Sequence, residues 1–259
     1  MPTGEPAWTA DTGAGVCFRF YGELNELISP RRRGVLFWLA LRTPTGVKDA
    51  IESLGVPHTE VDLILVNGEA VGWGVRLAPG DRVSVYPRFT SLDVSSLGRL
   101  RDDPPAGRFV LDGHLGRLAG LLRMLGLDAL YRRDYADAEL AQISHDEGRI
   151  VLTRDRGLLK RAIVVHGYLV RSDAPQTQVR EVLRRFGLDG ALAPLTRCLR
   201  CNEVLLPVDK ADVAQRLLPR TRRYYEEFWA CPRCGRIYWE GSHAAHMRRT
   251  VQALVARGE

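Results

Sequence analysis

The sequence has no long apolar segment and no recognisable export signal. Its longest apolar run, residues 35–41, is far shorter than the roughly 20 residues that a membrane-spanning helix needs. Residues 1–15 lack a basic segment followed by an apolar one, so a secretion signal is not predicted. We therefore expect a cytoplasmic protein with no membrane partner.

The sequence also lacks the glycine-rich and serine motifs of several common enzyme classes. It has no P-loop, no glycine-rich dinucleotide motif and no serine nucleophile elbow. Nucleotide-dependent and serine-hydrolase chemistry of these types is therefore not indicated.

Lysine is scarce, and the positive charge is uneven along the chain. Three of the 37 basic residues are lysines, and the formal net charge is +6. Residues 1–100 carry 10 basic and 11 acidic side chains, whereas residues 101–259 carry 27 and 20. A basic second half favours a polyanionic partner such as a nucleic acid. The alternative is that the abundance of arginine reflects codon usage alone.

Composition and pattern divide the chain into five predicted segments. Pro/Gly-rich and acidic residues predict a disordered tail, and a Ser/Asp/Pro-rich stretch predicts a linker. The predicted segments are a tail at 1–15, a small α/β domain at 16–90, a linker at 91–107, a second α/β domain at 108–190 and a cysteine-containing module with a terminal helix at 191–259.

The first domain has the pattern ββαββ. Its helix follows Thr45, a predicted N-cap, and Asn67-Gly68 is a strong hairpin signal. This order resembles the ubiquitin-like β-grasp of small sulfur-carrier proteins. Those carriers end in a free Gly-Gly, whereas here the chain continues through Pro87-Arg88-Phe89. The resemblance therefore implies a docking or scaffold role with a protein partner, and not sulfur-carrier chemistry.

The second domain alternates strands and helices, which predicts an α/β fold with a parallel sheet and helices on its faces. Strands are predicted near 108–111, 128–132, 150–153 and 163–170, and helices near 115–125, 137–147, 157–162 and 176–186. Ligand sites in such sheets form at the carboxyl ends of the strands.

Acidic residues recur at that predicted edge. Asp112 and Asp155 follow two strands, Asp137 begins a helix, and Asp173 follows the last strand. Carboxylates that meet at one edge suit a hard divalent cation such as Mg²⁺ or Mn²⁺. The alternative for each aspartate alone is an ordinary helix N-cap.

Two Cys-x-x-Cys pairs lie near the C-terminus, at Cys198/Cys201 and Cys231/Cys234. Each pair is followed by Asn or Gly, the residues that best tolerate the positive φ of a tight turn. Four thiolates of this kind predict a closed, structural Zn²⁺ site. The 29 residues between the pairs predict an insertion within the zinc ribbon.

Several of these motifs together resemble the Mut-seven C-terminal ribonuclease domain, a PIN-like nuclease family. The residues that carry the resemblance are the run from Asp112 to Gly126, the segments Asp137-Ala-Glu-Leu and Leu152-Thr-Arg-Asp155-Arg-Gly-Leu-Leu, both cysteine pairs and the stretch from Tyr238 to His243. The resemblance implies a PIN-like fold preceded by a ubiquitin-like domain. It also implies a metal-dependent nuclease site at Asp112, Asp137 and Asp155, with Asp173 as a fourth acid.

The sequence therefore predicts an Mg²⁺- or Mn²⁺-dependent ribonuclease with RNA as its substrate and a structural zinc. The alternative is a non-catalytic RNA-binding or adaptor protein, in which the zinc ribbon and basic surface hold RNA while the aspartates cap helices. The two possibilities differ in whether the fold brings Asp112, Asp137 and Asp155 within reach of one cation.

Overall fold

The computed structural model describes residues 15–41, 44–89, 100–102 and 107–255. The chain divides into two compact units, Met1–Asp102 and Asp103–Glu259. Nearly all of the predicted tail at 1–15 and most of the predicted linker at 91–107 lie outside the described residues. Each described helix is too short or too polar to cross a bilayer.

In its described residues, the first unit contains a five-stranded mixed sheet and one α-helix. The elements are β1 (Gly15–Phe20), β2 (Phe37–Ala40), β3 (Thr45–Gly46), α1 (Val47–Ser53), β4 (Val61–Val66), β5 (Glu69–Ala70), β6 (Arg76–Leu77) and β7 (Arg82–Pro87), with 3-10 turns at Gly22–Glu26, Pro30–Arg32 and His58–Glu60. The sheet order is β2-β1-β7-β4-β5, with β1 and β7 parallel at its centre. Apolar residues of β1, α1, β4 and β7 form a buried core, as the ubiquitin-like resemblance implies.

Two local predictions in this unit have different outcomes. Asn67 and Gly68 both have positive φ, 52° and 95°, and they join β4 to β5 as the predicted hairpin. The N-cap prediction for Thr45 is wrong, because Gly46 occupies that position. The backbone of Thr45 instead pairs with Leu77 in the short β3–β6 ladder, a long-range contact that local propensity does not reveal.

The second unit is built on a four-stranded, fully parallel sheet. Its strands are β8 (Arg108–Leu111), β9 (Asp128–Tyr131), β10 (Ile150–Thr153) and β11 (Gly167–Leu169), in the order β11-β10-β8-β9. Its first helices are α2 (Gly116–Met124), α3 (Asp137–Glu147), α4 (Arg156–Leu159) and α5 (Pro175–Phe186), with 3-10 turns at Gly113–Leu115 and Asp189–Ala191. The predicted α/β class is confirmed.

Helices flank this sheet because successive strand residues point to opposite sides. Phe109 and Leu111 of β8 face a buried cluster that includes apolar residues of α2 and α5. Val110, between them, is fully buried on the other side. There α3 packs against β8 and β10, and α4 packs against β10 and β11.

The fourth strand is shorter than predicted. Only three residues of β11 pair with β10, from Val151↔Gly167 to Thr153↔Leu169. The apolar residues before them lie in a turn, where the amide of Val164 donates to the carbonyl of Arg161. The strand therefore covers only the end of the predicted apolar run.

The C-terminal part of this unit contains a small antiparallel sheet and three helices. Its elements are β12 (Leu206–Val208), α6 (Lys210–Val213), a 3-10 turn at Ala214–Arg216, α7 (Pro219–Tyr224), β13 (Phe228–Ala230), β14 (Ile237–Trp239) and α8 (Ser242–Val255). Met247 and Val251 of α8 pack onto the same cluster as α2 and α5. The structure places the residues on both sides of position 190 in one compact unit. The predicted boundary between the second α/β domain and the cysteine-containing module therefore stays a prediction.

Candidate active site and zinc centre

Asp112 and Asp155 lie at the carboxyl ends of the adjacent strands β8 and β10, and Thr153 connects them. The hydroxyl of Thr153 donates to Oδ2 of Asp112 at 2.8 Å. The same hydroxyl accepts a hydrogen bond from the amide of Asp155 at 2.9 Å. Because Thr153 is fully buried, it fixes both aspartates relative to the end of the sheet. Sequence reasoning missed this residue, although a Thr-x-Asp segment at the end of a buried strand is a detectable signal.

A cleft of about 800 Å³ opens at this edge, and acids from three of the strand–helix units line it. Asp112 comes from the end of β8, Asp137 from the first turn of α3 and Asp173 from the loop before α5. Asp112 is half-buried, whereas Asp137 and Asp173 are exposed. The fold therefore brings three of the four predicted acids to one cavity.

Asp155 is the predicted acid that does not line this cleft in the described part of the chain. Its side chain accepts a hydrogen bond from the amide of Gly157 at 2.7 Å, as the N-cap of α4. Among the described residues, no group of three or more acids has its ligand atoms within 4.8 Å of one another.

The helix-cap alternative fits Asp155 but not the other three acids. Asp112 precedes a 3-10 turn without a side-chain cap bond. Ala136 is the N-cap of α3, so that Asp137 lies inside the helix. Ala174 likewise occupies the N-cap of α5, one residue after Asp173. The carboxylates of Asp112 and Asp137 are thus not used to begin helices.

Basic side chains share the cleft with these acids. Arg117 and Arg133 line it, and neither pairs with a carboxylate within the described ranges. Arg154 also lines it and forms an ion pair with Asp173. A cleft with acids and unpaired arginines can hold a phosphate beside a carboxylate-bound cation.

The loop after Asp112 packs tightly against the end of β9. The hydroxyl of Tyr131 donates to the carbonyl of Gly113 at 2.9 Å. A Cβ atom at position 113 would lie 2.4 Å from the carbonyl oxygen of Arg133, so that only glycine fits there. This close approach fixes the backbone beside Asp112.

The four cysteines of the predicted zinc site converge. Their Sγ atoms all lie within 4.8 Å of one another, with Cys198–Cys234 at 3.6 Å and Cys201–Cys231 at 3.3 Å. Four sulfurs at about 2.3 Å from one Zn²⁺ are about 3.8 Å apart. The donor set and its spacing therefore fit a structural zinc, and they leave no position for a substrate.

The two cysteine turns have the same backbone geometry, which the residues after them permit. Asn202 has φ of 71° and Gly235 has φ of 68°, as predicted. The Asn202 amide donates to the carbonyl of Cys198, and the Gly235 amide donates to that of Cys231. Two equivalent turns thus present their thiols to one point.

Hydrogen bonds favour the thiolate form of Cys198, which is the form that binds a metal ion. Burial acts to raise the pKa of its thiol, but bonds from the Tyr238 hydroxyl and the Cys201 and Arg200 amides outweigh burial and lower the pKa to about 6. The Tyr238 hydroxyl lies 3.1 Å from Sγ of Cys198. For Cys201, burial and neighbouring thiols raise the pKa to about 12. Four thiols this close cannot all ionise without a cation among them.

Buried arginine and asparagine side chains join the zinc centre to the parallel sheet. Arg123 of α2 donates to the carbonyls of Leu199 at 3.1 Å and Arg200 at 2.8 Å. Oδ1 of Asn202 accepts from the amide of Ala129 in β9 at 2.9 Å. These contacts hold the first cysteine turn against the sheet.

Asp128 completes this network at the start of β9. Arg149 donates to Oδ1 of Asp128 at 2.6 Å, and Asn202 donates to the same oxygen at 2.7 Å. Burial acts to raise the pKa of Asp128, but these bonds outweigh it and hold the pKa below its usual value. The paired charges can therefore stay buried between the sheet and the zinc centre.

Two family models match the chain, one in each of its compact units. The Mut7-C ubiquitin model matches residues 13–93, and the Mut7-C RNAse domain model matches residues 107–251, more than half of the chain. No curated protein and no solved structure shows significant similarity to the chain. The description of the second model indicates a nuclease-like function. The chain therefore belongs to the Mut7-C RNAse domain family, with a Mut7-C ubiquitin domain before the RNAse domain.

Proposed function

We propose that the chain is a divalent-metal-dependent ribonuclease that hydrolyses RNA phosphodiester bonds at the edge of the parallel sheet. The observation that carries the proposal is the cleft in which Asp112, Asp137 and Asp173 lie beside Arg117 and Arg133. The family of the RNAse domain supports the same reaction class. Asp155, fixed beside Asp112 through Thr153, is the remaining proposed acid.

The donor set fits Mg²⁺ or Mn²⁺ better than a softer metal. These hard cations prefer carboxylate oxygens and commonly use one or two of them, with water and substrate phosphate as further ligands. Asp112 and Asp137, which line the cleft, would hold the ion, and Asp155, connected to Asp112 through Thr153, is the third proposed ligand. When bound, such an ion would acidify a water molecule and offset the charge that develops on the phosphate.

The side chains of the cleft have separate roles in this proposal. Thr153 orients Asp112 by donating to one carboxylate oxygen and leaves the other oxygen for a ligand. Arg117 and Arg133 bind the RNA backbone, so that binding weakens as the salt concentration rises. Asp173 holds Arg154 at the rim of the cleft through their ion pair.

One observation favours a second candidate function. The Asp155 carboxylate caps α4, as expected if the aspartates only support the fold. In that case the chain is a non-catalytic RNA-binding or adaptor protein that uses its zinc ribbon and basic surface. In the first candidate the negative charge of Asp155 is needed for cleavage. In the second candidate Asp155 only caps α4, and its charge is not needed.

Replacing Asp155 by asparagine separates them. Asparagine is nearly as good an N-cap as aspartate, so the free energy of unfolding should change by less than about 0.5 kcal/mol. Loss of the negative charge should still reduce cleavage of a single-stranded RNA by at least about a hundredfold in the presence of Mg²⁺ or Mn²⁺. The matched variant Asp155→Ala removes the cap as well, and should lose stability in addition. A folded Asp155→Asn protein with full activity would assign Asp155 to the cap alone.

The first unit has no part in this proposed chemistry, and we propose that it binds a protein partner. Its edge strand β2 and the preceding turn expose Val35, Leu36 and Trp38, at 47%, 46% and 39% of their surface. Exposed apolar side chains on or beside an edge strand of the described sheet are typical of a protein-binding surface.

A further inference from the structure

A second cleft, separate from the acidic one, lies in the zinc-ribbon module. Its volume is about 650 Å³, and it shares no lining residue with the acidic cleft. Side chains of α7, β14 and the start of α8 form its walls. The aromatic and basic residues that line it are Arg220, Tyr224, Tyr225, Arg236, Tyr238 and Trp239.

The aromatic residues of this cleft differ in how far they are exposed. Tyr238 belongs to the zinc centre, and Trp239 packs against Phe228 with ring centroids 6.5 Å apart. Tyr225 is half-buried. Tyr224, in contrast, exposes 67% of its surface, an unusually large fraction for an aromatic residue. The guanidinium of Arg223 lies 5.5 Å from its ring centroid. Tyr224 is thus available to a planar ligand.

The arginines of this cleft have no acidic partner among the described residues. Neither Arg220 nor Arg236 pairs with a carboxylate in the part of the chain that the structure describes. The nearby Arg216, in contrast, is used structurally, because it donates to the carbonyl of Gly235. Two unpaired guanidinium groups beside the exposed ring of Tyr224 favour an anionic ligand that also has flat, apolar faces.

A nucleotide of a single strand has both properties. Nucleobases stack on aromatic side chains, and arginines in the same groove bind the phosphates between them. The volume of the cleft lies within the range of small-ligand sites and is sufficient for a nucleotide. An acidic peptide would use the arginines but would leave the aromatic faces uncovered.

We propose that this cleft is a second RNA-binding site, which holds a single-stranded part of the RNA away from the acidic cleft. A base stacks on Tyr224, and Arg220 and Arg236 bind the adjacent phosphates. The proposal rests on RNA as the substrate of the proposed function. It adds a surface that selects unpaired RNA through stacking.

Equilibrium binding of a fluorescent oligouridylate tests this site without cleavage. The binding protein is the full-length Asp112→Asn chain with its zinc, in buffer without Mg²⁺ or Mn²⁺. Tyr224→Ala should weaken binding about tenfold, because one stacked base is lost, and Tyr224→Phe should restore it. Arg220→Ala should weaken binding and should also reduce the slope of log K against log salt by about 0.7, the value for one phosphate of a single strand.

Arg222 provides the matched control for Arg220. It lies on the same helix and is exposed, but it does not line the cleft. Arg222→Ala should change the affinity by less than about twofold. Unchanged melting temperature and zinc content in every variant show that the module remains folded.

Four results would overturn the second RNA site. They are affinity unaffected by Tyr224→Ala, equal losses in Arg220→Ala and Arg222→Ala, no binding of single-stranded RNA at all, and preference for an acidic peptide over RNA. The outcome is independent of cleavage. A chain that binds RNA through Tyr224 and Arg220 but cleaves nothing would refute the proposed nuclease and retain this site.

Discussion

Replacing Asp112 by asparagine should reduce RNA cleavage by about a thousandfold while the fold stays intact. Asp112 is half-buried in the acidic cleft and is the acid whose position the structure fixes most firmly. Asparagine has nearly the same volume and can still accept the hydrogen bond from Thr153. It removes the negative charge that would hold a divalent cation, and a loss of several kcal/mol of transition-state stabilisation corresponds to this factor.

The measurement is the initial rate of cleavage of a labelled single-stranded RNA with saturating Mg²⁺ or Mn²⁺. Asp146→Asn is the control, because Asp146 is an exposed acid on α3 outside the cleft. Melting temperatures should agree among the wild-type protein and both variants. Equal rates for Asp112→Asn and Asp146→Asn would exclude the acidic cleft as the reaction site.

Loss of the zinc should destabilise the start of β9 as well as the zinc ribbon itself. Purified protein should contain about one equivalent of Zn²⁺, and Cys198→Ser should contain none or bind it weakly. Metal binding and folding are coupled at such sites, so the variant should lose on the order of 5 kcal/mol of the free energy of unfolding. The destabilisation should extend to the start of β9, because Asn202 and Arg123 connect the first cysteine turn to that strand and to α2.

Metal analysis, thermal unfolding and hydrogen exchange together measure this effect. The amide of Ala129 donates to Asn202, so it should lose protection in Cys198→Ser. Cys17→Ser is the control for zinc content, because Cys17 lies in β1 of the first unit and outside the cluster. Native protein without zinc and with four freely titrating thiols would contradict the assignment.

The sequence predicts much of the fold because its strongest signals are local. Each strand of the parallel sheet ends close to its predicted position, and the two residues with positive φ after the cysteine pairs follow directly from their types. The clustering of Asp112, Asp137 and Asp173 follows from one topological rule, that parallel strands end at the same edge.

The features that the sequence does not predict depend on contacts between distant residues. Arg123 reaches carbonyls 76 and 77 positions away, and Thr153 reaches Asp112 across 41 positions. Burial and hydrogen-bond direction, which arise only in the folded chain, decide these contacts. For the same reason, a pattern of strands followed by aspartates does not distinguish Asp155, which caps a helix, from Asp112, which does not.

Identification of the RNA ends that the protein produces tests the proposed mechanism most directly. The protein is dialysed to remove free cations while its zinc content is monitored, and cleavage is then measured with and without added Mg²⁺ or Mn²⁺. Water that a bound cation activates gives simple phosphate and hydroxyl ends, whereas attack by the neighbouring 2′-hydroxyl of the RNA gives a 2′,3′-cyclic phosphate. We expect cleavage only with the added cation, dependence on Asp112, and no cyclic phosphate at any time. Cleavage that persists without the cation, or products that carry a cyclic phosphate, would contradict metal-dependent hydrolysis at this site.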